Sequence, residues 1–352
     1  MRLSPFPVLL ALAAFVFVAA PHARADIVWA PGTGWRVEGG VLATLSGEDG
    51  RNALDLMNKA RAAEEAHSAR SAIKLYQKVA KRYPNSIYAA ESLYRVGLLY
   101  QGRKEYYKAF DSYQDLLAKY PGTEKFNQVV AEQYRIASQM LEGARPYVWG
   151  LFPGFKNRER SVEYFEKIIA NAPYSDYAPL SLMNVARGQQ KLGATEEAID
   201  ALDRMINTYP RSVLTPDAYL KIAQTHASLV TGPYYDQGST KEAITYFEDY
   251  LILFPGDSGA AQAEKGLADM KRVLANSKLI IADYYFKYRK NYKAAKVFYN
   301  EAITVFPDSD VAAKAKTKLA TVDALLEKQP QAVPVQSPKP GEPKKKKRFW
   351  LF

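Results

Sequence analysis

The chain has 352 residues, of which 48% are hydrophobic and 12% aromatic, so it holds enough apolar side chain for a large folded core. It contains no cysteine and only three histidines, which excludes disulfides and thiol chemistry and disfavours metal binding or catalysis through histidine. Of the formal charge of +11, residues 1–25 contribute +2 through Arg2 and Arg24. Residues 339–352, with six Lys or Arg and one Glu, contribute +5, which is more than half of the +9 that remains without residues 1–25.

Residues 1–25 have the pattern of a secretory signal peptide. Arg2 provides a positive start, and the apolar stretch from Val8 to Ala20 is too short for an ordinary membrane span. Ala23-Arg24-Ala25 fits an A-x-A cleavage site, although a retained N-terminal anchor stays open. We expect export, and export together with a charge confined mainly to the tail argues against a nucleic-acid partner.

Residues 26–50 are rich in glycine and are predicted to form an extended N-terminal arm. Trp29 and Trp35 lie in this arm. They could dock on the first helical hairpin or on a partner, and docking on the chain itself is the simpler interpretation.

Six amphipathic, aromatic-rich runs each end at a proline followed by a short polar turn. Proline disfavours helical geometry at the preceding residue and lacks a backbone donor, so it ends a helix. The shortest interval between these prolines is 37 residues, which fits a tetratricopeptide hairpin with an extended turn. The pattern predicts an all-α tetratricopeptide-repeat solenoid of five to six hairpins over residues 51–328. The prolines are Pro84, Pro121, Pro173, Pro210, Pro255 and Pro307.

Small and aromatic residues recur at fixed distances from these prolines. Gly97 and Ala109 lack bulk, so two helices can approach closely there, and Tyr113 fills the space beside them. Hairpins are predicted at about 52–83, 86–120, 124–171, 176–209, 214–254 and 258–306, with a final helix at 309–327.

An insertion, residues 143–157, separates the two helices of the third hairpin. It combines two prolines and three glycines with a set of aromatic side chains that we expect to make contacts. Two interpretations remain open: a partner-binding knob, or a loop that folds back over its own hairpin. The aromatic residues are Tyr147, Trp149, Phe152 and Phe155.

Residues 329–352 are rich in Pro, Gln, Ser and Lys, which predicts a disordered linker. A basic run next to an aromatic terminus suits an anionic membrane surface, and a solvated tail is the alternative. The predicted membrane-contacting residues are Lys344, Lys345, Lys346, Lys347, Arg348, Phe349 and Trp350.

Residues 280–296, followed by Phe306-Pro-Asp-Ser, resemble the C-terminal repeat of the BamD family of outer-membrane β-barrel assembly lipoproteins, and residues 72–90 are similar to its first repeats. The resemblance extends over about 51–325. It implies a scaffold subunit at the periplasmic face of the outer membrane, which assists the assembly and insertion of β-barrel proteins. It also implies that C-terminal repeats bind the POTRA domains of the barrel-assembly protein and that N-terminal repeats contact unfolded barrel clients.

The resemblance selects candidate contact residues. Those for the barrel-assembly protein are Tyr285, Lys287, Arg289, Lys290 and Tyr292, and those for clients are Tyr88, Tyr94 and Arg95. Most of the aromatics suit a hairpin core equally well. In the family the mature N-terminus is a lipid-modified cysteine. The present sequence contains no cysteine, so we expect membrane association through partners or the basic tail. The 143–157 insertion has no counterpart in the family that we can place.

Two other classes of function are alternatives to this role. One is a periplasmic tetratricopeptide adaptor of another envelope complex, such as a Tol–Pal-associated coordinator, but residues 26–50 show no heptads of the coiled coil usual there. The other is an enzyme. The chain has no phosphate-binding glycine loop, no metal-spaced cluster of histidines and no nucleophile elbow, so we predict a non-enzymatic protein without cofactor or metal.

Overall fold

Helices form most of this computed structural model, which describes residues 26–38 and 47–328. The predicted signal peptide (1–25) and the predicted linker with its basic aromatic tail (329–352) lie outside the described residues. The helices in this part of the chain are α1 (Glu48–Glu65), α2 (Ala69–Arg82), α3 (Tyr88–Gly102), α4 (Tyr106–Lys119), α5 (Phe126–Leu141), α6 (Arg158–Asn171), α7 (Tyr177–Leu192), α8 (Thr195–Thr208), α9 (Thr215–Ser228), α10 (Gly238–Leu253), α11 (Ala260–Lys287), α12 (Tyr292–Val305) and α13 (Asp310–Glu327). Two short antiparallel hairpins join β1 (Asp26–Ala30) to β2 (Gly34–Glu38) and β3 (Tyr147–Val148) to β4 (Phe152–Pro153).

The helices follow one another as six hairpins, α1–α2 to α11–α12, and α13 comes after the last pair. This confirms the predicted all-α tetratricopeptide-repeat fold class. The described residues contain six hairpins, the larger of the two predicted numbers. The chain divides into two compact units within α8. The N-terminal unit extends to Met205, and the C-terminal unit begins at Ile206.

The six repeat prolines end helices as predicted. Each stands two positions beyond the last residue of an even-numbered helix, from α2 to α12. The residue in between leaves helical geometry; Tyr83 before Pro84, for example, has φ −127° and ψ 58°. The regular spacing of hairpins along the sequence therefore follows from where proline stops each second helix.

Close packing inside a hairpin depends on a glycine facing an aromatic ring. In α3, a Cβ added at Gly97 would collide with the ring of Tyr113 from α4. Tyr113 is completely buried, and its hydroxyl donates to Oε1 of Gln101 at 3.0 Å, so the ring is held at both ends. In the C-terminal unit, Gly266 of α11 stands in the same relation to the ring of Phe247.

The described part of the N-terminal arm is a β-hairpin that docks on the first helical hairpin. Trp35 is buried in a cluster with Met57 and Tyr76, and its backbone N–H donates to Oδ1 of Asn58 at 2.9 Å. The guanidinium of Arg61 lies 4.2 Å from the centre of a ring of Trp29. Both tryptophans thus contact the chain itself. Residues 48–50, which the sequence assigned to the arm, are the first turn of α1.

Candidate partner-binding surfaces

The turn between α11 and α12 projects a group of side chains from the C-terminal unit. Asn291 caps α12, its Oδ1 accepting from the backbone N–H of Ala294 at 3.1 Å, and its own N–H donates to the carbonyl of Tyr285 at 3.0 Å. Lys290 between them adopts a left-handed φ of 51°. This backbone arrangement leaves Tyr288, Arg289 and Lys290 exposed at the turn.

The aromatic residues of this region separate into a core set and an exposed set. Tyr285 is half-buried and stacks on Phe298, with ring centres 5.5 Å apart. Tyr292 is half-buried, with its ring centre 5.9 Å from that of Phe286. The exposed rings belong to Tyr284 and Tyr288, whose centres lie 5.9 Å apart on one face of α11.

Three of the five residues predicted to bind the barrel-assembly protein are therefore exposed at the helix end, namely Lys287, Arg289 and Lys290. Tyr285 and Tyr292 mainly hold the hairpin together. The prediction missed Tyr284 and Tyr288, although their four-residue spacing was a usable signal that they share a face. We call Tyr284, Lys287, Tyr288, Arg289 and Lys290 the C-terminal patch.

A partly buried ionic network adjoins this patch. Asp283 accepts hydrogen bonds from Nζ of Lys318 at 2.6 and 2.8 Å and from the hydroxyl of Tyr299 at 2.6 Å. Burial alone would raise the pKa of Asp283, but these hydrogen bonds outweigh it and lower the pKa below its ordinary value. Burial and the neighbouring Asp283 raise the pKa of Tyr299, so that hydroxyl remains a donor. The network joins α11, α12 and α13 and fixes the end of α11.

The three predicted client-binding residues lie in different environments. Tyr88 is only 3% exposed and packs in the core of the first hairpins, so its ring cannot meet a client and we remove it from the set. Tyr94 is half-buried, with Nζ of Lys125 5.1 Å from its ring centre. Arg95 pairs with Glu91 at 2.8 Å and lies 5.0 Å from the ring centre of Trp35. Tyr94 and Arg95 remain partly accessible on α3.

The backbone of the 143–157 loop is fixed to neighbouring helices of the N-terminal unit. The N–H of Tyr147 donates to the carbonyl of Lys104 at 2.7 Å. The carbonyl of Trp149 accepts from Arg103 and, at 3.3 Å, from Nη2 of Arg70. Both anchored residues belong to the β3–β4 hairpin, Tyr147 to β3 and Trp149 to the turn that follows it.

The apolar side chains of the same loop face solvent. The exposed fractions of these side chains run from 50% to 93%, with Phe155 the most exposed. Tyr147 is half-buried, with Nζ of Lys104 5.3 Å from its ring centre. The two interpretations of this loop thus apply to different atoms, since the backbone folds back while most of the aromatic side chains stay accessible. The exposed apolar residues, which we call the apolar tip, are Val148, Trp149, Leu151, Phe152 and Phe155.

A groove of about 440 Å³ opens beside the apolar tip. Trp149 and Leu151 are among the residues that line it. Glu105 also lines the groove, is buried, and pairs with both Arg103 and Lys108 at 2.7 Å. Burial alone would raise the pKa of Glu105, but hydrogen bonds from these two cations lower it, so the carboxylate stays ionised and paired. The other cations along the groove are Arg70 and Lys74.

Neither a metal site nor a membrane span is found in the described part of the chain. Within residues 26–38 and 47–328, no three His, Asp or Glu side chains are grouped so that they could hold a metal ion. Over the same residues, none of the helices combines the length and the apolar character needed to cross a bilayer.

Comparison with known proteins places these surfaces in a family context. Residues 155–332 match the family model YfiO, described as outer membrane lipoprotein. Residues 56–86 and 91–123 match a tetratricopeptide-repeat model. The YfiO match contains the whole C-terminal patch and covers just over half of the chain.

Curated relatives are similar over shorter stretches. Outer membrane protein assembly factor BamD of Xylella fastidiosa (strain 9a5c) is 24% identical over 155 residues, which cover 41% of this chain and 53% of that protein. The protein of the same name from Caulobacter vibrioides is 24% identical over 131 residues, covering 37% and 43%. The chain thus spans about half the length of the curated relatives it matches.

Solved structures of repeat proteins show only distant similarity. A tetratricopeptide repeat protein from Parabacteroides merdae is 13% identical, with 78% of this chain and 100% of that chain covered and a TM-score of 0.31. This value is too low to support any functional argument.

Proposed function

The chain belongs to the YfiO family of outer membrane lipoproteins, and from this premise we propose that it is a scaffold subunit for the assembly and insertion of β-barrel proteins in the outer membrane. Its place would be the periplasmic face of that membrane. Relatives bearing the name outer membrane protein assembly factor support the proposal. In this role the protein binds and positions other proteins and catalyses no reaction.

The observation that carries the proposal is the C-terminal patch. The patch is exposed, consists of tyrosines and basic residues, and lies inside the residues that match the family model. Tyr288 is 77% exposed, although a large aromatic ring is favourable to bury. Tyrosine and arginine are also the residue types most enriched among those that dominate binding energy in protein interfaces. We assign this patch to the POTRA domains of the barrel-assembly protein.

Contact with unfolded β-barrel clients is assigned to the N-terminal unit. Tyr94 and Arg95 on α3 remain candidates there because part of each side chain is accessible. Arg95 is held by Glu91, which also pairs with Lys125 at 3.2 Å, so the guanidinium has a fixed direction. A fixed cation next to an aromatic ring suits an extended chain that presents both backbone carbonyls and apolar side chains.

The partner contact is tested by co-purification of the barrel-assembly protein with variants of the patch. Tyr288→Ala and the double variant Arg289→Glu/Lys290→Glu should each reduce recovery strongly, because they remove the exposed ring or reverse two charges without touching the Asp283 network. The matched control reverses two exposed charges elsewhere in the C-terminal unit, Lys241→Glu/Lys265→Glu. Lys265 and Lys287 lie 22 residues apart on α11, which is roughly 33 Å at 1.5 Å per residue.

If the patch variants and the control recover equal amounts of the barrel-assembly protein, the C-terminal patch is not the contact. Recovery of Tol–Pal proteins in place of the barrel-assembly protein would instead support the alternative, a periplasmic adaptor of another envelope complex. The two results are distinguishable because the first concerns which surface binds and the second concerns which partner is bound.

A further inference from the structure

The apolar tip is a second exposed surface, and nothing in the proposed scaffold role accounts for it. Its five side chains are held at the end of a two-residue antiparallel pairing, Tyr147 with Pro153 and Val148 with Phe152. All five are at least 50% exposed. A contiguous exposed apolar group of this kind marks an interaction site in a soluble domain.

The tip is pre-positioned, since its backbone is anchored at several points. Gly154 donates to the carbonyl of Pro146 at 2.7 Å, closing the base of the hairpin. Arg103 and Arg70 both donate to the carbonyl of Trp149. Trp149 itself adopts a left-handed φ of 55°, which turns the chain at the tip. Because the backbone is already ordered, docking of the tip costs little additional conformational entropy.

The surroundings of the tip are cationic. Residues 143–158 include Arg145, Lys156 and Arg158 and no acidic residue, and of the two flanking acids, Glu142 and Glu159, Glu142 is paired with Arg187 and Lys191. The neighbouring groove is lined by four further cations and one acidic residue, the buried Glu105, which pairs with two of those cations, Arg103 and Lys108. The groove therefore keeps an excess of positive charge. Apolar side chains surrounded by cations are the combination by which peripheral proteins bind an anionic lipid surface. The cations of the groove are Arg70, Lys74, Arg103 and Lys108.

We propose that the apolar tip of the 143–157 loop is a docking site for an anionic membrane surface, with Trp149, Leu151, Phe152 and Phe155 entering the headgroup region and the surrounding cations contacting lipid phosphates. This inference does not depend on the partner contact of the C-terminal patch, which lies in the other unit. It places membrane contact on a folded element, separate from the contact predicted for residues 344–350.

The test is co-sedimentation of residues 26–352, the chain expected after cleavage of the predicted signal peptide, with vesicles of phosphatidylcholine containing phosphatidylglycerol. The variant Trp149→Asn/Phe152→Ser/Phe155→Ser should weaken binding at least about tenfold, equivalent to about 1.4 kcal/mol. Asparagine is chosen at position 149 because it tolerates the left-handed φ. Since all three side chains are exposed, the variant should melt at the same temperature as the parent protein.

A second variant tests the charges. Arg145→Glu/Lys156→Glu should weaken binding to anionic vesicles and should matter less as salt is raised, because exposed charges are screened. The matched control is Val213→Ser/Ile252→Ser, which removes two apolar side chains with exposures of 93% and 74% outside the tip and should leave binding unchanged. Every variant is also measured with Lys344 to Arg348 changed to glutamine, so that the contribution of the tail is removed.

Failure of the parent protein to bind these vesicles would overturn the proposal. Undiminished binding by the tip variant in the glutamine-tail background would also overturn it. If the parent protein does not bind vesicles but the tip variant loses the barrel-assembly protein in co-purification, the tip is a protein contact and the lipid assignment is wrong.

Discussion

Replacement of Gly97 by alanine tests the packing that defines a repeat hairpin. The added Cβ would collide with the ring of Tyr113, which is buried and fixed through its hydroxyl by Gln101. Overpacking of a filled core costs about 1–3 kcal/mol. Alanine in place of glycine inside a helix stabilises the helix by about 1 kcal/mol, which offsets part of this cost. The net expectation is a loss of up to about 2 kcal/mol in the free energy of unfolding.

Gly102→Ala, in the same helix, is the matched control. Gly102 has no atom within 4 Å of an added Cβ, so this variant gains helix propensity without a clash and should be neutral or stabilising. The two variants should therefore differ by about 1–3 kcal/mol, the cost of the clash. In the double variant Gly97→Ala/Tyr113→Leu the ring is absent, so the clash is removed. The double variant should therefore lose less free energy of unfolding than the sum of the losses of the two single variants.

The assay is urea unfolding followed by circular dichroism of the helices, with free energies obtained by linear extrapolation. A Gly97→Ala variant as stable as Gly102→Ala would refute the argument that the close approach of α3 and α4 requires glycine at this position. An absence of coupling with Tyr113→Leu would show that the cost arises elsewhere than at this ring.

Two further predictions concern stability. Asp283→Asn should lower the thermal midpoint of the C-terminal unit at neutral pH. Because the folded-state pKa of Asp283 is lowered, its contribution is fully present above the unfolded-state pKa of about 4 and is lost as pH falls through the folded-state value. Parent and variant should therefore begin to converge as pH falls below about 4 and coincide only below the folded-state pKa. A difference that persists undiminished at low pH would contradict the ionic origin. Trp35→Ala should release the β1–β2 hairpin and cost about 3–5 kcal/mol, so that residues 26–38 become the first site cut in limited proteolysis. The control Trp149→Asn, at an exposed site with a left-handed φ that asparagine tolerates, should leave the digestion pattern unchanged.

The fold was accessible from the sequence because its determinants are local. A proline ends every second helix, and its effect extends over only the few residues around it. The Gly97–Tyr113 contact could also be inferred, since both residues keep fixed distances from the next proline. By contrast, residues 26–38 were predicted only as an extended arm, although runs of Ile, Val and Trp on both sides of Pro31-Gly32-Thr33-Gly34 are typical of a β-hairpin. The position of this hairpin depends on burial of Trp35 against α1 and α2, which the local pattern does not contain.

The candidate surfaces were predicted less completely, and α11 shows why. Residues 284–286 and 288 are all aromatic, so periodicity alone cannot say which of them face the core. The face is set by packing on Phe298 of α12 and on α13, which are distant in sequence. Burial of Tyr88 was missed for the same reason. The conformation of the 143–157 loop depends on Arg70 and Arg103, which lie 79 and 46 residues from Trp149.

The most direct test of the scaffold proposal is site-specific photo-crosslinking in intact cells. A photoreactive residue replaces Tyr288 in one strain and Tyr174, which is 100% exposed in the N-terminal unit, in another. Crosslinked products are identified by mass spectrometry. The account predicts that position 288, and not position 174, yields the POTRA-bearing barrel-assembly protein. Products from position 288 that contain Tol–Pal or peptidoglycan-synthesis proteins, without the barrel-assembly protein, would contradict it.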